Sequence, residues 1–456
     1  MKKIKIHFIG ISGIGMSGIA ELMLDRGYEI QGSDKSLNDN TKRLKKKGIK
    51  FFLNHHKSNI KFADMVVYSS AIKKNNPEIK EAIKRKTPLL SRADMLAELM
   101  KNKKCIAVAG SHGKTTTTSL IGNILDQAKL DPTIVNGGII NSYSKNNRYG
   151  KGDWMVVEAD ESDGSFLKLP HEISIITNLD FEHMDYYKKK QNLFRAFEDF
   201  INKLPFYGKS VICADDKNLN NIIKKIKSRK IITYSIKNKN ADILIKIIKK
   251  TPSYTDFKLN INNNVFKYNI KNKYRINTIG DHNILNATAS IIVSKLINID
   301  YISINTALKK YIGVKRRFTF LGKKKLSYIY DDYAHHPTEI KATISAAKNI
   351  NKNIVVVYQP HRYSRTKFLF EEFVSTLSKI KKLILLETYS AGEKKLKGFT
   401  SFDLNKKIIN LNKNVIYLDN IKELNTSLSK HLDTDCLIIF MGAGSISKLA
   451  KDFYLS

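Results

Sequence analysis

Lys114 and Thr115 close the glycine-bearing run V-A-G-S-H-G-K-T-T-T-T (108–118). A lysine can neutralise the charge of a terminal phosphate and a neighbouring threonine hydroxyl can ligate Mg²⁺, both of which are needed where a phosphoryl group is transferred. Backbone N–H groups of such a turn, at the start of a helix, add partial positive charge toward an anion. The stretch therefore reads as a phosphate cradle. Its common form has a glycine where this chain has Val108, with Gly110 two places later, so the loop is a variant.

A second glycine turn, G-I-S-G-I-G-M-S-G (10–18), contains Gly13, Gly15 and Gly18, with Asp34 about twenty residues further on. Alone, this spacing suggests an NAD-dependent dehydrogenase, a tight turn with no ligand, or a site for another diphosphate. A dehydrogenase has no use for Lys114 and Thr115. Acidic residues recur in E-A-D-E-S-D (158–163) and N-L-D-F-E-H-M-D (178–185), each at the end of an expected strand. Parallel strands deliver their C-terminal ends to one edge, so Thr115, Glu158 and His183 are expected to converge there. Toward the C-terminus, His335, His336 and His361 are candidates to take a proton. Arg362 and Arg365 suit a bidentate grip on a carboxylate.

The elements that must position these residues follow from the apolar pattern. Residues 4–9 form a strand, 10–18 a turn into a helix closed by Gly27, and further strands are expected around 28–34 and 63–71. C-I-A-V-A-G begins the strand, loop, helix order afresh before the phosphate cradle, and strands are expected at D-W-M-V-V-E-A-D and I-S-I-I-T-N-L-D. F-K-L-N-I-N-N-N-V-F-K-Y predicts an antiparallel excursion about an Asn-Asn turn. A third series comprises Y-I-Y-D-D-Y, N-I-V-V-V-Y-Q-P, K-L-I-L-L-E-T-Y and D-C-L-I-I-F-M-G-A-G. Continuous apolar strands alternating with helices predict parallel sheets covered on both faces. The fold class is α/β in three domains: a Rossmann-like one over 1–98, a central P-loop ATPase domain with a parallel sheet over 99–317, and a C-terminal Rossmann-like one over 318–456.

Composition fits this reading. A chain of 456 residues exceeds what one core usually supports, and 42% hydrophobic content is ample for several. Lys and Arg number 79 against 42 Asp and Glu, a net charge of +37. Such a charge suits a nucleic-acid-binding NTPase, yet Lys, Asn and Ile are abundant throughout and no nucleic-acid module stands out. A solvated surface is the preferred explanation, without a nucleic-acid partner. Cys105, Cys213 and Cys436 are odd in number and far apart, which argues for buried thiols rather than disulfides. No apolar stretch approaches the ~20 residues of a membrane span, so a cytoplasmic enzyme without a membrane partner is expected. Oligomeric state is not readable.

In order along the chain, G-I-S-G-I-G-M-S-G, A-G-S-H-G-K-T-T-T-T, E-A-D-E-S-D, N-L-D-F-E-H-M-D, G-D-H-N-I-L-N-A, R-R-F, D-D-Y-A-H-H-P-T-E and Q-P-H-R-Y-S-R-T resemble the Mur ligase family of cell-wall peptide ligases. The resemblance spans nearly the whole chain. It implies a first domain holding the UDP end of a sugar nucleotide, a central ATPase, and a C-terminal domain that closes over the nucleotide and admits an amino acid. ATP and Mg²⁺ are the implied cofactors. Gly110, Ser111, His112, Gly113, Lys114, Thr115 and Thr116 would cradle the ATP phosphates, and Thr115, Glu158 and His183 would surround the metal. His282 and Asn283 would lie near adenine, and Arg317 with Asp332 would reach ATP from the closing domain. His361 and Arg362, with Arg365, would form the amino-acid pocket. Gly13, Gly15, Ser70, Arg92, Glu161 and Tyr333 complete the expected substrate contacts, and Lys114, His183, His336 and Arg362 the expected catalytic set.

The implied reaction joins L-alanine to the lactyl carboxylate of UDP-N-acetylmuramate through an acyl phosphate, in peptidoglycan precursor synthesis. A relative that attaches a recycled tripeptide is the alternative within the family. Two departures concern fine geometry: Ala334 stands where the family usually has glycine, and Ser111 where it usually has threonine. Lys188 to Lys190 offer candidates for the carbamylated lysine of some relatives, with no assignment.

Overall fold

A computed structural model describes residues 3–226, 231–261 and 273–456. Strands β1 (Lys5–Ile9), β2 (Glu29–Asp34), β3 (Lys50–Leu53), β4 (Met65–Tyr68) and β5 (Leu89–Ser91) form an all-parallel sheet in the order β3-β2-β1-β4-β5. The order reverses direction beside β1, where the glycine turn leads into the helix Ile14–Asp25. Open α/β sheets bind ligands at such a switch point.

The central sheet is built from β6 (Lys104–Ala109), β7 (Thr133–Ile140), β8 (Lys145–Arg148), β9 (Trp154–Glu158), β10 (Ile173–Ile176), β11 (Lys209–Cys213), β12 (Ile231–Ser235), β13 (Ile243–Lys250), β14 (Thr255–Ile261) and β15 (Lys273–Ile276). Their order is β15-β14-β13-β12-β11-β10-β6-β9-β7-β8. β6 lies between β10 and β9, both parallel to it. The loops after these three strands therefore open on one edge. Ile106, Val108, Met155, Val157 and Ile175 are wholly buried, as expected of strands covered on both faces.

The third sheet runs β16 (Thr319–Lys324), β17 (Ser327–Asp332), β18 (Ile354–Tyr358), β19 (Lys382–Leu386), β20 (Val415–Leu418) and β21 (Leu437–Met441), in the order β16-β17-β21-β18-β19-β20. Only β16 is antiparallel, as a hairpin with β17.

The chain divides into two compact units, one of Met1–Ile248, Asp256–Asn277 and Asn283–Ile312, the other of Lys249–Thr255, Thr278–His282 and Gly313–Ser456. The first holds two of the three sheets on one continuous core running from Ile6 to Tyr311. Asn146 and Asn147, both on β8, donate to the carbonyls of Ile14 and Gly18 and so fasten the first glycine helix to the central sheet. With this helix packed on both sheets, the first two sheets fall in one compact unit.

The strands not named from sequence include β3, β5, β7, β8, β11, β16 and β20; the expected Asn-Asn turn at 262–264 lies outside the described residues. All three cysteines are buried and free. Among the described residues no helix is long and apolar enough to cross a membrane.

Candidate active site

β6 delivers the phosphate loop and the helix Lys114–Gln127. Gly110 (φ +126°) and Gly113 (φ +82°) take backbone angles that L side chains avoid. A Cβ on Gly110 would lie 2.2 Å from Thr177 Oγ1 and 2.9 Å from the Asn178 carbonyl, and one on Gly113 would lie 2.7 Å from Asn286 Oδ1. Gly110→Ala is therefore expected to destabilise the first unit by ~1–3 kcal/mol and to abolish nucleotide binding, read by thermal unfolding and ATP titration.

The segment after β10 clamps this loop. Asn178 accepts from Ser111 N at 3.1 Å through its carbonyl and from His112 N at 2.8 Å through Oδ1, while Thr177 Oγ1 donates to the His112 carbonyl at 2.6 Å. Ser111 Oγ accepts from Asp180 N at 2.8 Å, a role a serine fills as readily as the threonine usual in the family. Two of the seven expected cradle amides, those of Ser111 and His112, are thus turned to Asn178. At the helix N-terminus, the amides from Gly113 to Thr116 remain as donors for an anion.

Lys114 is half-buried, with its ammonium on Glu161 at 2.8 Å and on the carbonyls of Gly110 and Ser111. Burial alone would lower this lysine; Glu161, then Asp160 and Glu158, outweigh it and raise it above the ordinary lysine value, so it stays cationic. Thr115 Oγ1 donates to Glu158 at 3.2 Å, and Gly137 N donates to the other Glu158 oxygen at 2.7 Å.

His183, in the left-handed region at φ 57°, groups with Glu161 and Glu182, their ligand atoms all within 4.8 Å of one another. Of the expected set, Thr115 and Glu158 are hydrogen-bonded to each other, and His183 groups with Glu161 and Glu182. The pair offers only oxygen donors, which fits Mg²⁺; the histidine adds a nitrogen to the second group, a less typical ligand for it.

Gly15 packs against Arg92, whose guanidinium reaches Asp160 at 4.0 Å. Gly15, Arg92, Glu161 and Lys114 are in this way linked within the first unit. Gly13 precedes the helix Ile14–Asp25 with no side-chain cap, leaving its first amides open to an anion. Ser70 is exposed just after β4. Asp34 accepts from Ser12 N at 3.0 Å and Lys35 N at 2.7 Å, so the acidic residue of the dinucleotide spacing holds the glycine turn itself.

In the second unit, Arg317 donates to Glu339 at 3.2 Å and lies over the Tyr333 ring, as does Arg316. Asp332 accepts from Phe318 N and Ala334 N, both at 2.7 Å, and burial pushes its carboxyl up to about 6 against the pull of Arg317. Ala334 lies outside the left-handed region, so replacing the family's glycine costs no strain. His282, exposed, and Asn283, half-buried, open the helix Asp281–Leu296 but fall in different units.

His361 stacks on Tyr389 at 5.5 Å and 8°, with Arg365 Nη1 at 3.2 Å from its Nδ1. Burial first, then Arg365, His335, Arg362 and Arg316, push its pKa down to about 3. A ring so depressed is a weak base at neutral pH. The sign for stability follows: the unfolded chain binds a proton below about 6.5 and the folded chain does not, so stability is lost as pH falls from about 6.5 toward 3. His361→Gln is expected to flatten that part of the acid unfolding profile, measured as Tm against pH.

Arg362 is left-handed at φ 70° and donates its N–H to the Tyr389 carbonyl at 2.9 Å. His336 is buried as the N-cap of the helix Pro337–Ala347, its Nδ1 accepting from Thr338 N at 3.3 Å. The reading from sequence missed Asn178, Glu182 and Asn286. Asn178 and Glu182 stand inside the N-L-D-F-E-H-M-D run and Asn286 is the second asparagine of G-D-H-N-I-L-N-A, so the signal lay in quoted motifs whose individual roles only packing assigns.

Three family models match the chain in succession: "Mur ligase family, catalytic domain" over residues 5–104, "Mur ligase middle domain" over 108–294, and "Mur ligase, glutamate ligase domain" over 316–444. The chain is 46% identical over 454 residues to the UDP-N-acetylmuramate--L-alanine ligase of Rickettsia typhi, covering 98% of this chain and 91% of that one. It is 45% identical over 455 residues to the protein of the same name in Rickettsia felis, covering 98% and 95%. Among solved structures it is similar to the UDP-N-acetylmuramate-alanine ligase of Thermotoga maritima, with a TM-score of 0.82, 27% identity and coverage of 99% and 98%. The fold is shared with a murein peptide ligase of Psychrobacter arcticus, with a TM-score of 0.71 at 21% identity over 99% and 98% of the two chains. This three-domain α/β chain, with its phosphate loop on the central sheet, belongs to the Mur ligase family.

Proposed function

We propose that this protein joins L-alanine to the lactyl carboxylate of UDP-N-acetylmuramate at the expense of ATP, with Mg²⁺ as its metal. The observation that carries this reading is the likeness, over 98% of the chain, to proteins named for that reaction. A carboxylate is a poor electrophile, so the lactyl carboxylate first attacks the γ-phosphorus, giving an acyl phosphate and ADP; the amine of alanine then displaces phosphate.

Two anions must approach in the first step, and at ~4 Å unit like charges repel by about 4 kcal/mol at an effective dielectric of 20. Lys114 and the helix amides from Gly113 to Thr116 offset this repulsion, while Arg92 faces the sugar nucleotide. Thr115 and Glu158 would hold the metal, which when bound supplies positive charge to the phosphate oxygens. Arg362 and Arg365 grip the alanine carboxylate. For the amine's proton we favour His335 over His336 and His361: its Nδ1 faces the Tyr333 carbonyl at 2.9 Å and Glu339 at 3.3 Å, leaving Nε2 as the basic nitrogen.

The test is phosphate release from ATP with UDP-N-acetylmuramate and, in turn, alanine, glycine, serine and a tripeptide. Release is expected to require the sugar nucleotide and to be fastest with alanine. Faster release with the tripeptide would replace this reading by the peptide-ligase one, and turnover indifferent to the sugar nucleotide would end both.

A further inference from the structure

The first sheet buries a charge that the chemistry above leaves unused. Glu78, on the helix Pro77–Lys84, is fully buried. Its carboxylate accepts from Ser33 Oγ at 2.6 Å and Asn59 Nδ2 at 2.7 Å, and faces His55 Nδ1 at 3.1 Å and His7 Nε2 at 3.5 Å. Burial works to raise the carboxyl, but His7, Ser33 and Asn59 outweigh it and hold it below the usual carboxylate range. A carboxylate is tolerated out of water only among such partners.

The hydrogen bonds locate the protons. Gln31 Nε2 donates to the Asn59 carbonyl at 2.8 Å, which orients the amide, and the same nitrogen faces His7 Nδ1 at 3.3 Å. His7 accepts there and carries its proton on Nε2, toward Glu78. Ser33 gives its hydroxyl hydrogen to Glu78, so its oxygen, 2.9 Å from His55 Nδ1, is an acceptor. Two acceptors therefore face one ring nitrogen, and in neutral His55 the proton sits on Nδ1 with a lone pair left on Nε2.

His55 also lines a cavity of about 500 Å³ with Lys35, Asn54, Ile72, Lys73 and Asn76. These residues follow the C-terminal ends of β2, β3 and β4, the edge where open α/β sheets take ligands. The cavity is large enough for a nucleoside, with two lysines for an attached diphosphate and amides for a ring edge.

Resting on the proposed sugar-nucleotide substrate, we propose that Glu78 is a positioning residue: it holds the His55 proton on Nδ1, so that Nε2 accepts the imide N–H of uracil and disfavours cytosine, whose ring nitrogen there has no hydrogen. Ser33 relays the same constraint, and His7 turns its Nε2 proton to the buried carboxylate.

The test is calorimetric titration of the full chain with UDP, CDP and ATP, with ¹⁵N spectra of His55. The wild-type chain is expected to bind UDP at least about tenfold tighter than CDP, with His55 protonated on Nδ1. Glu78→Gln is expected to bring that ratio within about threefold and mix the tautomers, leaving ATP affinity unchanged. Should this variant not fold, Ser33→Ala is expected to move the ratio the same way by a smaller factor. A UDP-to-CDP ratio that the variants leave intact, or a wild-type chain that binds both equally, overturns the inference while the ligase reading stands. A wild-type chain that binds no uridine nucleotide overturns both.

Discussion

Lys114→Met is expected to lower ATP-dependent turnover by about a thousandfold or more while UDP-N-acetylmuramate still binds within about threefold of wild type. The side chain is placed for charge and little else: it is the cation nearest the phosphate loop and is held there by Glu161 and two loop carbonyls. Methionine keeps most of the volume and loses the charge. The variant also leaves Glu161 buried without its cation, a situation that typically costs ~3–5 kcal/mol. Loss of activity and loss of stability must therefore be separated. In the double variant Lys114→Met/Glu161→Gln the stray charge is gone, so thermal stability is expected to recover most of the deficit while turnover stays as low as in the single variant. Turnover that recovers with stability would show that Lys114 serves the fold and not the chemistry.

The site was legible in sequence where one residue type at one spacing implies one physical need. Gly110 and Gly113 are such cases: a phosphate turn demands positive φ, and both have it. Lys114, Thr115 and Glu158 were legible because strand ends of a parallel sheet share an edge, and β6 and β9 are adjacent and parallel. What strand order does not encode is which of several acids near one edge meets which partner. Glu161, expected as a substrate contact, also holds Lys114 and groups with Glu182 and His183.

Asp34 shows the converse, since its spacing fitted a dinucleotide pattern while its carboxylate accepts from the backbone amides of Ser12 and Lys35. Short polar strands such as β8 (K-N-N-R) carry no apolar alternation at all. Their place in the sheet comes from β7 alongside and from asparagines that bond a distant helix, contacts that no local pattern announces. The histidines at 335 and 336 are adjacent in sequence yet differ in use, because helix geometry makes one an N-cap and sets the other against Glu339.

Glu158→Gln tests the metal reading with the least structural disturbance. Glu158 accepts from Gly137 N and Thr115 Oγ1. A glutamine can still accept from Gly137 with its carbonyl oxygen and can turn its NH₂ to Thr115, whose hydroxyl accepts as well as donates. The fold should therefore tolerate the change to within about 1 kcal/mol, whereas the site loses one full negative charge where a hard divalent cation needs it. Turnover is expected to fall about a hundredfold, and the Mg²⁺ concentration giving half-maximal phosphate release to rise at least about tenfold, with the KM for alanine unchanged. The shift in metal dependence separates this from any general damage, since a misplaced loop would lower the rate at every Mg²⁺ concentration alike. A Glu158→Gln enzyme that is slow but keeps the wild-type Mg²⁺ dependence would remove Glu158 from the metal and transfer that role to the Glu161, Glu182 and His183 group.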